Sequence, residues 1–265
     1  MDVRATEQAA RAENSESVAR LYNGAGASPA TAEWYPFKAA WLREHEPETY
    51  RKAAHLVDAP DWVTFKLTGE WTTNINSAAI RMYYNRDKGG WPEDFYQTIG
   101  CGDVFDKIPE RVLDLGTPVG TLATIPAQLL GLRPGIPVAQ GLADAWAGQI
   151  GLGVLSAGSM ALITGSSHVL TGQADTEIHG EGFFGAYPDG VMPGQYTVEA
   201  SQVSTGSVLK WFKDNFVADY TAAAEKIGLN PYDVLNEQSR NIRPGSDGLI
   251  INEYFQGNRT PYTDS

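Results

Sequence analysis

Apolar residues recur with a helical period over the first part of the chain and break into short runs separated by Gly and Pro over the second. Ala5, Ala9, Ala12, Val18 and Leu21 fall near one stripe within residues 2–22, which predicts a helix that Asn23-Gly24-Ala25-Gly26 ends. Trp34 to Glu44 reads as a second helix, with Pro36 tolerated in its first turn. Residues 60–69 form an amphipathic helix stopped by Gly69. Trp71 to Asn76 and Ala78 to Tyr84 read as β-like or loop. From Gly116 onward the periodicity shortens. Pro137 to Gly141 predicts a short buried strand, followed by Asp144 and a small-residue helix, Ala145 to Ile150. Gly158 to Leu170 predicts a strand, a tight turn at Thr164-Gly165-Ser166-Ser167 and a second strand. Residues 180–196 read as loops and short strands. Residues 204–216 form a helix whose Val208, Trp211 and Phe212 share a face, and residues 219–228 form another.

Composition narrows the class. The chain has 265 residues, 42% apolar and 20% charged, with a net charge of -12. That length allows one large domain or two ordinary ones. The acidic residues are dispersed, which argues against nucleic acid as a partner, because phosphate neutralisation needs clustered Lys and Arg. No apolar run is long enough to span a membrane. The lone Cys101 excludes a disulfide framework within the chain and fits a reducing, cytoplasmic setting. The four histidines (His45, His55, His168, His179) lack zinc-like spacing.

Two features can carry chemistry. The first is Gly141-Leu142-Ala143-Asp144, a carboxylate just past a strand end, where α/β sheets place their ligands. It can accept a proton from a hydroxyl, or it can cap the helix from Ala145. The second is the 164–167 turn, whose bare N–H groups and hydroxyls can cradle an anion or serve an ordinary hairpin. No GxxxxGK[ST] loop occurs, which excludes a P-loop kinase.

Seven segments in order resemble the FGGY carbohydrate kinases. They are Met1-Asp2-Val3-Arg4-Ala5, Glu33 to Leu42 (EWYPFKAAWL), Asp61 to Gly69 (DWVTFKLTG), Gly141 to Ala145, Gly158 to Ser167, Glu199 to Gln202 with Thr205 to Trp211, and Pro244 to Leu249 with Gly257 to Pro261. The resemblance runs the whole length of the chain and leans to ribulokinases. It implies an α/β, actin-like ATPase (ribonuclease H-like) fold in two domains, each incomplete. Residues 1–150 would be the remainder of the sugar-binding domain and 151–265 the first part of the nucleotide-binding domain. The implied reaction is ATP-dependent phosphorylation of a small sugar such as ribulose, assisted by Mg²⁺. Asp144 would deprotonate the attacking hydroxyl. Lys38, Glu199 and Asp2 would lie on the sugar side. Thr164, Gly165 and Ser166 would cradle the transferring phosphate, with Gly206 and Lys210 near the nucleotide.

The family's D-x-G-T loop and its later Gly-rich adenosine segment have no counterpart here. The chain therefore reads as an internal fragment with an open sheet edge, exposed apolar faces, poor ATP affinity and low or no kinase activity of its own. The alternative function is a non-catalytic sugar-binding fragment. The resemblance leaves homo-oligomerisation and the choice among L-ribulose, D-ribulose, ribitol and xylulose open.

Overall fold

A computed structural model describes residues 2–22, 30–180, 182–252, 254–255 and 257–260. The expected Asn23–Gly26 stop lies outside these residues. The 2–22 helix is shorter than its apolar stripe predicts: helix α1 spans Thr6–Ala12, and the stripe continues only as a 3₁₀ turn at Val18–Leu21. Ser17 starts that turn by accepting the Ala19 N–H, a local bond that competes with a continuous helix.

Helix α2 (Tyr35–His45) carries Pro36 in its first turn and buries Phe37 and Ala40 completely. Helix α3 (Pro47–Lys52) follows. Helix α4 (Ala59–Thr68) ends at Gly69, whose φ of 84° is the left-handed stop the sequence predicts. Strand β1 (Thr73–Asn74) is brief, and the chain then turns into helix α5 (Ile75–Arg81). This corrects the β-like or loop reading where it runs over Ile75–Arg81, while Thr73–Asn74 is strand as that reading has it. Asn74 accepts the Ser77 N–H and so caps the helix. Ile75, Ala78, Ala79 and Ile80 are then buried.

Helix α6 (Glu93–Ile99) places Phe95, Tyr96 and Ile99 in the main core with Phe37 and Tyr83. Strand β2 (Val112–Leu113) pairs parallel with β1. Strand β3 (Pro118–Thr121), helix α7 (Thr124–Leu130) and strand β4 (Pro137–Ala139) follow, with β3 and β4 antiparallel. The strand expected to be buried at 137–141 is in fact at the surface, since Pro137 and Ala139 are exposed. It pairs with β3, and helix α4 packs against both strands while Pro137 and Ala139 stay exposed.

Helix α8 (Asp144–Gly151) leads to a four-stranded antiparallel sheet of β5 (Met160–Thr164), β6 (His168–Ala174), β7 (Phe184–Pro188) and β8 (Tyr196–Gln202), in the order β5-β6-β8-β7. Helix α8 covers one face of β5. A Cβ added at Gly148 would lie 2.9 Å from Ile163 Cδ1, so the two elements approach as closely as glycine permits. On the other face Met160, Leu162 and Leu170 remain 58%, 49% and 40% exposed. Helices α9 (Gly206–Phe216), α10 (Ala218–Lys226) and α11 (Pro231–Ser239) complete the order. On α9, Trp211 and Phe212 are 43% and 41% exposed, so the face predicted from their spacing is only partly covered. Among the described residues, no helix is long and apolar enough to cross a membrane.

One buried acid ties this scaffold together. Asp61 Oδ1 accepts from Asn74 N (2.9 Å), Asn74 Nδ2 (3.0 Å) and Gln140 Nε2 (3.0 Å), joining α4, β1 and the residue after β4. Burial pushes its pKa up to about 6, against the opposing pull of those bonds. A carboxyl raised on folding contributes most below its unfolded pKa and loses that contribution as pH rises through the folded value. Two pH units correspond to about 3 kcal/mol. Asp61→Asn keeps an oxygen for all three donors and cannot ionise. Its stability relative to the parent is therefore expected to rise by about that amount between pH 4 and pH 7. Chemical denaturation across that range measures it, and a flat difference refutes it.

Candidate active site

Helix α2 begins just after Glu33 and projects Lys38 one turn along. Two cavities meet there. One, of about 430 Å³, is lined by Lys38, Arg81, Ala143 and Trp146 among others. The other, of about 210 Å³, is lined by Lys38, Arg81, Glu199, Ser201 and Arg259 among others. Glu33, Lys38 and Arg81 are common to both. The structure thus brings the predicted Lys38 and Glu199 to one place, although they are far apart in the chain.

Arg81, at the end of α5, escapes sequence reasoning because its stretch reads as strand or loop. It is the central cation of the site. Its Nη1 and Nη2 donate to the two Glu199 oxygens, each at 3.2 Å, and its guanidinium lies 5.0 Å over the Trp146 ring. Glu199 comes from β8 and is 3% exposed, whereas the Arg81 side chain keeps 30% exposure. Burial opposes the guanidinium charge, Glu199 and Tyr187 favour it, and the net displacement of its pKa is upward. A planar fork facing a carboxylate at two points fixes both partners in angle as well as distance.

A second ion pair crosses the smaller cavity. Arg259 Nη2 and Nε donate to Glu33 Oε2 at 2.6 and 3.1 Å. The adjacent Thr260 Oγ1 accepts the Ser201 N–H at 3.0 Å. Both partners of this pair sit in segments quoted above for their motif resemblance, so the signal was in the sequence while the pairing was not.

Asp144 is exposed and is the first residue of α8, with Ala143 at the N-cap position. Its Oδ1 accepts the Ala145 N–H at 2.8 Å, so it satisfies one helix-end donor from inside the first turn. The start of α8 is held from behind: Asn76 Oδ1 accepts the Ala143 N–H at 3.3 Å, and Asn76 Nδ2 donates to the Gly190 carbonyl at 2.8 Å. Asp144 lies four residues before Gly148, and the 164–167 turn begins one residue after Ile163. Both therefore extend from the single tight contact between α8 and β5.

The turn itself packs on the start of α9. The Ser166 carbonyl accepts from Thr205 N (3.0 Å), Ser207 N (3.3 Å) and Ser207 Oγ (3.1 Å). A Cβ at Gly206 would lie 2.4 Å from the Gly165 oxygen, so no other residue permits this approach. Thr164, Gly165 and Ser166 are exposed beside it. Lys210, one turn further along α9, pairs with Asp214 at i+4 and is largely exposed. Asp2 is engaged by Arg4, whose side-chain and backbone donors hold its carboxyl below the usual range, with a smaller pull from Lys38. Among the described residues, no group of three or more His, Cys, Asp or Glu could hold a metal ion.

Residues 1–151 match the N-terminal domain of the FGGY family of carbohydrate kinases, and residues 160–265 match its C-terminal domain. The ribulokinase of Anoxybacillus flavithermus is 31% identical over 241 residues, covering 89% of this chain and 42% of that protein. The ribulokinase of Geobacillus thermodenitrificans is 30% identical with the same coverage. The chain thus spans less than half the length of these relatives. Among solved structures, a xylulose kinase from Rhodospirillum rubrum superposes with a TM-score of 0.77 at 22% identity, covering 98% of this chain and 51% of that one. A xylulose kinase from Lactobacillus acidophilus gives 0.76 at 19%, covering 99% and 51%. These likenesses carry the expected fold, the α/β actin-like ATPase architecture. The chain belongs to the FGGY family of carbohydrate kinases.

Proposed function

We propose that the whole protein transfers the γ-phosphoryl group of ATP to a hydroxyl of a small ketose or polyol, with a ribulose-type pentulose as the first candidate. The observation that carries this reading is the gathering of Lys38, Arg81 and Glu199 around two joined cavities, one of which ends at Ala143, the residue before Asp144. The sugar occupies these cavities. Lys38, Arg81 and Glu199 hold its hydroxyls, and Asp2 adds negative charge near Lys38. Asp144 takes the proton of the attacking hydroxyl as its oxygen bonds to phosphorus and the bond to the ADP oxygen breaks. Little covalent help is needed in such a transfer, so positioning and charge neutralisation dominate.

On the nucleotide side, Thr164, Gly165 and Ser166 cradle the transferring group, with Gly206 and Lys210 close to the nucleotide. The exposed turn against a helix start suits phosphate oxygens. A divalent cation such as Mg²⁺, when bound with the nucleotide, would supply neutralisation of charge on the transferring phosphoryl group. Residues 1–150 supply most of the sugar side of this arrangement and 151–265 the nucleotide side, with Glu199 and Arg259 reaching across to the sugar cavity. The setting is the cytoplasm, and the partner is a small sugar rather than nucleic acid or a membrane.

The test is sugar-dependent ADP release from the purified protein across L-ribulose, D-ribulose, D-xylulose and ribitol. A kinase releases ADP in step with one of these sugars. Thermal stabilisation by a sugar without ADP release marks the alternative, a non-catalytic binder. ATP turnover indifferent to all four refutes the proposal.

A further inference from the structure

Helix α8 carries Asp144 at its start and buries Ala145, Trp146 and Gln149. Gln149 is completely buried, and a buried amide has to find partners for both its ends. It finds them in two places. Its Nε2 donates to the Val154 carbonyl at 2.9 Å, while the Val154 N–H donates to the Gln149 carbonyl at 3.1 Å. This reciprocal pair closes the turn that follows the helix. Its Oε1 accepts the Thr171 hydroxyl at 2.7 Å. Thr171 is also completely buried, in the middle of β6.

The cross-strand neighbours of Thr171 are Ala161 on β5 and Glu199 on β8. Residues directly opposite in an antiparallel pair point to the same face of a sheet. Glu199, the bidentate partner of Arg81, therefore stands beside the residue that anchors the helix of Asp144. At its other end α8 is tied to α5 through Asn76, and α5 also carries Arg81. The helix is thus referenced twice to the Arg81–Glu199 pair. Packing of Gly148 on Ile163 sets how close α8 lies to β5. Such an apolar contact has no direction, so it leaves the helix free to slide or roll. A satisfied buried hydrogen bond removes that freedom. From this arrangement, and resting on the sugar-kinase reading above, we infer that Gln149 is a positioning residue for phosphoryl transfer. Through Thr171 it holds Asp144 where a hydroxyl of a sugar bound at the Arg81–Glu199 pair can pass it a proton. Neither Gln149 nor Thr171 lines either cavity, so the effect runs through the placement of the helix.

Thr171→Val tests this, because it removes the hydroxyl and keeps the shape. Misplacing a reacting group by about 1 Å can cost about 10²-fold in rate. Turnover measured by coupled ADP release is expected to fall by about tenfold or more, while the sugar's dissociation constant from calorimetry stays at the parent value. Thr171→Ser, which returns the hydroxyl, should restore most of the turnover. Gln149→Met combined with Thr171→Val should be no slower than Gln149→Met alone, since both changes break one bond. Parent turnover in Thr171→Val, an equal loss in Thr171→Ser, a slower double variant, or a loss of sugar affinity in step with turnover each overturns the inference while the kinase reading stands. A parent protein that releases no ADP with any ketose or polyol fails the kinase reading and takes this inference with it. Hydrogen exchange needs no variant. In the parent, the amides of α8 should exchange about tenfold or more slowly than those of α11, which buries none of its residues. Equal rates would show an unheld helix and overturn the inference even where Thr171→Val fails to fold.

Discussion

Asp144→Asn is expected to lower sugar phosphorylation by about 10²–10⁴-fold, the usual contribution of a positioned general base, while leaving the sugar's dissociation constant little changed. Three observations set that expectation. Asn matches Asp in shape and keeps an oxygen for the Ala145 N–H, so the start of α8 survives. The anchor behind it, Asn76 to the Ala143 N–H, is untouched. Ala143 and Trp146 line the larger cavity, whereas the residues proposed to hold the sugar's hydroxyls are Lys38, Arg81 and Glu199, which the substitution does not alter. What disappears is the capacity to accept a proton. Coupled ADP release gives the turnover and calorimetry gives the affinity. Near-normal turnover would remove Asp144 from the mechanism; lost affinity with preserved turnover would make it a binding residue.

The second large effect is structural. Arg81→Met leaves Glu199 facing the cavity floor with its bidentate partner gone. Glu199 is 3% exposed, and removing one partner from a buried pair typically costs about 3–5 kcal/mol. The lower end applies, because the Arg81 side chain is itself 30% exposed and water screens part of the interaction. The cation also leaves the face of Trp146. For a chain of this size the loss corresponds to a melting temperature lower by roughly 10 °C. Adding Glu199→Gln removes the stranded charge and should recover much of the loss. Differential scanning calorimetry of the two single variants and the double variant measures the coupling. An Arg81→Met protein melting with the parent would show that the pair contributes nothing to the fold.

Local chemistry in the sequence predicted local structure well. Gly69 ends α4 because only a residue without Cβ adopts its backbone angles cheaply. Lys210 and Asp214 stand four apart on α9 and meet as that spacing requires. The seven motif segments pointed to the family before any coordinates. Helix α5 was missed for a physical reason. It is only seven residues long, and Trp71-Thr72-Thr73 before it favours extended backbone. The Asn74-x-x-Ser77 spacing was the readable sign of its cap. Helices α3, α6, α7 and α11 were also passed over, each six to nine residues long. At that length a helix depends on packing more than on propensity.

The site was legible in its parts and illegible in its pairings. Lys38 and Glu199 carried motif signals, and they do share a cavity. Arg81 lies 118 residues from Glu199, and nothing within either stretch announces the other. The place of Leu56 in the larger cavity was equally hidden, because it depends on hydrogen bonds to Tyr35 and Lys107.

The Glu33–Arg259 pair has a consequence for how the molecule is made. Its partners are 226 residues apart, so closing it draws most of this stretch of chain into one loop. A ribosome emits Glu33 early and Arg259 near the end of this stretch. While the residues between them are being made, the smaller cavity therefore lacks one wall. Contacts of such long range also form late in folding, after the entropy of the intervening loop has been overcome. The smaller cavity is thus finished only once Arg259 has been made, and a nascent polypeptide stalled before Arg259 would emerge without the pair that closes it.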